Sequence, residues 1–241
     1  MLESVGRLRE YRLGSDKGDI GRVDDIVFPR GQWVVRYLVA SMERPRRQAL
    51  FPVACLGALD GETRKLRCDL QRELIEATPE LDLTKQIDRR DEEQVFEAYG
   101  WPPYWMQGEQ EVTPTGMLSG EPAREEPADQ TELESPELQL ARDVTGGFVV
   151  HSNEGEFGLC SDFVIDDDAW TIRYITVDSP LEGRGILVET DWVSRIDWVM
   201  KEMYLGLPHK TIAGSPTLEA EQPVTNELER TLHHYYERIR S

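Results

Sequence analysis

Cysteine is scarce in this chain. Cys55, Cys68 and Cys160 are odd in number, and no two stand at a CxxC spacing. That pattern suggests neither a disulfide framework nor a zinc site, so the thiols are expected to be reduced and packed as small hydrophobes. Long hydrophobic runs are also missing: the longest apolar stretches, such as Trp33 to Ala40, fall far short of the ~20 residues that span a bilayer, and no direct membrane insertion is expected. The opening Met-Leu-Glu-Ser-Val-Gly-Arg has no apolar stretch of signal-peptide length, which points to the cytoplasm. Positive charge is in deficit, with 27 Lys and Arg against 46 Asp and Glu, for a net charge of −19. Such a field repels phosphate backbones and anionic lipid, so nucleic acid is a poor partner. Histidine occurs only at His151, His209, His233 and His234. The adjacent pair lacks the i, i+4 spacing of a metal-binding helix face, and His151 beside Ser152 makes no triad. Gly18 and Gly21 open a strand, where no helix N-terminus is available to hold a phosphate. No catalytic residue, metal ligand or cofactor is therefore expected, and the chain reads as non-enzymatic.

What is present is a folded composition, 39% hydrophobic with 8% aromatics over 241 residues, interrupted by one solvated stretch. From Met106 the character shifts to Gly, Pro, Glu, Ser and Thr, as in the run from Glu121 to Pro136. Such a stretch has little to bury and self-repels, so 106–137 reads as a flexible acidic linker between a domain at 1–105 and a second at 138–241.

The two flanks are copies of each other. Ser15-Asp-Lys-Gly-Asp-Ile-Gly21 and Ser152-Asn-Glu-Gly-Glu-Phe-Gly158 share one pattern 137 positions apart. Without a gap the same offset pairs Asp25 with Asp162, Trp33 with Trp170, Arg36 with Arg173, Tyr37 with Tyr174, Leu50 with Leu187, Pro79 with Pro216, and Tyr99 with Tyr236. An offset this long is duplication of a whole domain, since solenoid periods reach only about 50 residues.

Within each copy the apolar residues alternate with period two, as in strands. Trp33, Val35, Tyr37 and Val39 take one face of an extended segment and Trp170, Ile172 and Tyr174 repeat it. Arg36 and Arg173 share the other face, where Asp25 and Asp162 on the preceding strand are candidate ion-pair partners. Pro29-Arg-Gly31 and Asp166-Asp-Asp168 are hairpin turns, and further strands are expected near 49–53, 65–70, 185–190 and 202–207. Each copy closes in a helix: Asp91 to Tyr99 in the first, and in the second a stretch opened by Asn226 and Glu229 with Leu228, Leu232, Tyr235 and Ile239 along one stripe. The expected fold class is mainly β, two small barrels each followed by a short helix.

The run from Ser15 to Phe28, then Trp33-Val-Val-Arg-Tyr-Leu-Val39, resembles the opening of a PRC-barrel domain. Tyr99-Gly-Trp-Pro-Pro-Tyr-Trp105 is similar to the tail that follows the barrel in many bacterial stand-alone members. The second copy keeps Gly155, Gly158, Trp170, Arg173 and Tyr174 but lacks the tail. The resemblance implies a small β-barrel used for docking or assembly, as in the cytoplasmic part of the photosynthetic reaction centre H subunit and the C-terminal half of the ribosome maturation factor. Neither a membrane anchor nor an RNA-processing-type domain ahead of the barrel is expected from this sequence, so neither specific role is expected to carry over.

Two surfaces are therefore candidates for a protein partner or for a second copy in a homodimer. One is the tail Trp101, Pro102, Pro103, Tyr104 and Trp105, since aromatics and prolines bury much area at small entropy cost. The other is the helix stripe Leu228, Leu232, Tyr235 and Ile239. Asp24-Asp25 and Asp166-Asp-Asp168 could gather a cation, which gives the alternative of an acidic cation-binding or stress-related regulator. The triplet lacks the spaced oxygen ligands of a calcium loop and reads as a solvated turn.

Overall fold

The computed structural model describes residues 1–16, 18–43, 46–103, 137–219 and 222–240. Two seven-stranded sheets dominate it. The first half supplies β1 (Leu2–Ser4), α1 (Val5–Leu8), β2 (Arg12–Ser15), β3 (Gly18–Pro29), β4 (Tyr37–Glu43), β5 (Arg46–Pro52), β6 (Leu56–Asp60), β7 (Lys65–Cys68), α2 (Arg72–Ala77) and α3 (Arg89–Tyr99). The second half runs through the same series: β8 (Leu138–Leu140), α4 (Ala141–Val144), β9 (Val149–Ser152), β10 (Gly155–Asp166), β11 (Thr171–Ser179), β12 (Gly183–Glu189), β13 (Val193–Asp197), β14 (Glu202–Leu205), α5 (His209–Ala213) and α6 (Asn226–Arg240). From β2 onward the two series keep the offset of 137 read from the sequence. Ahead of β2 the offset is 136, because the turn leading from α4 to β9 is one residue longer than its counterpart.

The sheets run β5-β4-β3-β2-β7-β6 and β12-β11-β10-β9-β14-β13. Each takes its seventh strand from the other half: β8 pairs antiparallel with the end of β3, and β1 pairs antiparallel with the end of β10. The exchange is reciprocal to the atom. Asp167 N–H donates to the Met1 carbonyl at 3.1 Å, and Arg30 N–H donates to the Glu137 carbonyl at 2.8 Å. Between the sheets, Val34 bridges Thr171, with Val35 N–H on the Trp170 carbonyl and Ile172 N–H on the Trp33 carbonyl, both at 2.7 Å. A segment thus pairs with its own duplicate, the self-complementary pattern of a two-fold dimer interface, formed here within one chain.

The expectation of two separately cored barrels meets a different arrangement. Both sheets are open in their hydrogen-bonded order, since β5 leads into β6 through a 3-10 turn at Val53–Cys55 and no ladder joins the two strands. One buried apolar cluster runs through both halves. Phe28 meets Phe163 edge-on at 5.6 Å across the seam, and Trp33 packs on both rings. The reason is physical: an exchanged strand carries its apolar face into the other half's core. Trp170 is buried, whereas Trp33 is only half-covered, so the matched tryptophans share a register but not an environment.

Local chemistry explains the elements. Gly18 and Gly155 turn into β3 and β10 at φ of 126° and 129°, a region L side chains avoid. Asp88 caps α3 in a reciprocal box with Asp91, and Gly100 ends it in the left-handed conformation. At α6 the capping side chain is Thr225, whose Oγ1 accepts from Leu228 N–H at 3.2 Å, so the cap sits one residue before the expected Asn226.

Candidate interaction surfaces

The predicted helix stripe is turned inward. Leu232 and the neighbouring Tyr236 are fully buried against the second sheet, while Leu228, Tyr235 and Ile239 pack at its margin, half-exposed. Tyr236 donates to the Leu187 carbonyl at 2.8 Å and lies 3.0 Å from Ser215 Oγ; Tyr99 makes the matching contacts to the Leu50 carbonyl at 3.1 Å and Thr78 Oγ1 at 2.9 Å. Both helices are pinned to their sheets by this one device. Of the predicted aromatic tail, Trp101 packs on Tyr99 with ring centres 5.5 Å apart and is half-exposed, Pro102 is exposed and Pro103 is half-exposed. Tyr104 and Trp105 lie outside the described residues, as does all but the last residue of the predicted linker.

The predicted Arg36 to Asp25 pair is replaced by another arrangement. Asp25 is fully buried and accepts from Arg142 N–H at 3.1 Å, with the Arg9 and Arg142 guanidinium groups at 3.4 and 3.8 Å. Its duplicate Asp162 accepts from Gly6 N–H at 3.0 Å. Each carboxylate thus binds the short helix lent by the other half, and burial raises both above the ordinary carboxylate range. Arg36 instead reaches Gln32, and Arg173 is exposed.

The carboxylates of Asp166, Asp167 and Asp168 come within 4.8 Å of one another. The Met1 ammonium sits among them, bonded to Asp167 and 3.3 Å from Asp168, and Asp167 also accepts Leu59 N–H at 3.0 Å. Three histidines stand by three separate carboxylates: His151 by Glu202, His209 by Glu182, and His233 by Glu237.

Three features went unread in the sequence. At the hairpin between β13 and β14, Trp198-Val199-Met200 protrudes, with Val199 90% and Met200 66% exposed. Trp198 is held edge-on to Phe148 at 5.6 Å, under the Arg30 guanidinium at 5.0 Å. Beside it a groove of about 250 Å³ opens at the seam between the halves, lined by Phe28, Trp33, Val193, Arg195, Ile196 and Trp198. Across the first sheet a broader cleft of about 610 Å³ gathers Arg12, Arg22, Arg46 and Arg47. A comparison of the two copies, position by position, would have pointed to the tip and to the arginine cleft. Trp198, Val199 and Met200 stand where the first copy has Gly61, Glu62 and Thr63, and Arg12, Arg22 and Arg46 stand where the second has Val149, Leu159 and Gly183, while Arg47 is matched by Arg184.

No family model matches this chain, and no curated protein matches it. Among the described residues no helix is long and apolar enough to cross a membrane.

Proposed function

We propose that the chain is a non-enzymatic interaction module of the cytoplasm, in which two diverged PRC-like barrel units are clasped into one body that docks a protein partner. The strand order, the long bent strands β3 and β10, and the residues Ser15 to Val39 support the PRC-like reading. The observation that carries the docking reading is the Trp198-Val199-Met200 tip beside the seam groove. Apolar side chains as exposed as Val199 and Met200 cost solubility, and the turn does not require them, since the other copy makes the same turn with Glu62 and Thr63 at those places and with Arg64 and Lys201 at matching φ of 52° and 57°. The groove holds one or two side chains between Trp33 and Trp198, with Arg195 on its rim. Its fitting occupant is an extended partner segment with an apolar anchor flanked by carboxylates. The half-exposed Trp101 and Pro103 extend the aromatic surface available to a partner elsewhere on the molecule.

The two like units already meet symmetrically within the chain at the Val34 to Thr171 bridge, which favours sedimentation at the 27.7 kDa of one copy over the homodimer expected from the sequence. A stable dimer would instead place self-association on a second face. The docking test is affinity capture with wild type beside the variant Val199→Glu, Met200→Thr, which borrows the first copy's turn residues and should fold unchanged by circular dichroism. A partner retained by wild type and lost by the variant is the expected result. Equal retention would return the tip to mere surface.

The alternative of an acidic cation-binding regulator draws on the Asp166 to Asp168 cluster. The Met1 ammonium offsets one of the three charges, and Asp167, the buried member, already accepts from it and from Leu59 N–H, so calcium or magnesium is expected to give no heat in calorimetry. A clear heat with a raised melting temperature would favour the cation reading.

A further inference from the structure

Cys55 ends the 3-10 turn after β5, and Cys68 ends β7. Their Sγ atoms lie 3.9 Å apart, with both residues buried. The backbone fixes this approach. Leu56 is the ladder partner of Cys68, and Asp69 N–H donates to the Cys55 carbonyl at 2.8 Å, so the two thiols meet across adjacent strands whose register is set. The fold does not ask for sulfur at either place, because the second copy makes the same turn and strand with Trp192 and Leu205. The third thiol, Cys160, is fully buried with the Asp162 carbonyl at 3.9 Å as its hydrogen-bond partner.

We infer that Cys55 and Cys68 form a redox-closable dithiol, a reversible intramolecular disulfide site in the first unit. A disulfide bond is ~2.05 Å long, so the sulfurs must approach by just under ~2 Å, a shift within reach of side-chain rotation between neighbouring strands. The chemistry balances with a peroxide as oxidant. The Cys68 thiolate attacks one peroxide oxygen and takes it as a sulfenic acid, releasing water once a proton is supplied. The Cys55 sulfur then displaces the sulfenic hydroxyl, and its own proton leaves with that hydroxyl as a second water. Two thiols lose two electrons, and the peroxide gains them. The assignment of roles follows the environment: burial pushes the Cys55 thiol well up, while the hydrogen bond between the two sulfurs lowers Cys68.

The test uses the full chain, treated with hydrogen peroxide, alkylated, and digested with trypsin without reduction. The expected product joins residues 48–64 to residues 68–72 through one disulfide, two hydrogens lighter than the separate peptides, with Cys160 recovered alkylated. The oxidised protein should melt roughly 5 °C higher than the reduced form and return on reduction, as expected for a short closed loop. Cys55→Ala and Cys68→Ala should each abolish the shift, and Cys160→Ala should leave it. Recovery of Cys55 and Cys68 as separate alkylated or over-oxidised peptides overturns the inference, as does a disulfide that involves Cys160 instead. The peptide result is read on the wild-type chain, so it stands even if a variant folds poorly.

Discussion

Tyr99 and Tyr236 show how far a single side chain can set a fold. Each reaches from a closing helix to a strand carbonyl, and each is completed by a hydroxyl at the matching position, Thr78 or Ser215. Phenylalanine at either place keeps the packing and strands a buried acceptor. Each substitution should cost about 1 to 2 kcal/mol in urea unfolding, and a loss below about 0.3 kcal/mol would mean the bonds are made as well by water. Asp25 and Asp162 give a prediction of opposite sense to the usual acid denaturation. Burial holds both folded carboxyls above the free value of 3.8, so the folded chain binds these protons more tightly than the unfolded one. Their contribution is favourable below that value and is lost as pH rises through the folded one. Asparagine at either position should therefore gain on wild type as pH climbs from about 4 to 7. A stability difference that stays flat across that range would show that the flanking arginines and amides offset the burial.

At the scale of elements, β3 and β10 organise everything else. Gly21 faces the β4 backbone so closely that an added methyl would lie 2.1 Å from the Ser41 carbonyl oxygen, and Gly158 has the same relation to Asp178 at 2.3 Å. Alanine at either glycine must force the strands apart, and a loss of roughly 2 to 4 kcal/mol in chemical unfolding is expected. Melting within a degree or two of wild type would contradict so close a crossing. These long strands were legible in the sequence because their alternation and glycine punctuation are strong and occur twice. The short ones were not: β1 and β8 are three residues long, too short for any period to register, and their partners lie in the other copy. The helix at 226–240 was legible as a stripe, but its deepest ring is Tyr236, one position from the tyrosine that the spacing singled out. Spacing sees which residues are apolar, whereas burial depends on which of two neighbours faces the sheet. The Trp198 tip was overlooked for a related reason, since an apolar turn reads as the end of a strand until it is set beside its polar duplicate.

For the molecule as a whole, the cross-laid strands make the connection at 106–136 dispensable to association. A protease site inserted there and cut under native conditions should leave both fragments eluting together, and they should part only in denaturant. Separate elution of the fragments would show that β1 and β8 contribute little. The same wiring bears on how the protein is made. While the ribosome is still extending the first copy, the Val27–Pro29 end of β3 has β4 on one side only, because Leu138–Leu140, which pairs on the other, has yet to be translated. The N-terminal strand, for its part, must wait for Asp166 before it has anywhere to go. Neither sheet can be finished on the order in which its residues emerge, so the nascent first copy carries an open edge through most of its synthesis, and completion of the two units is a single late event.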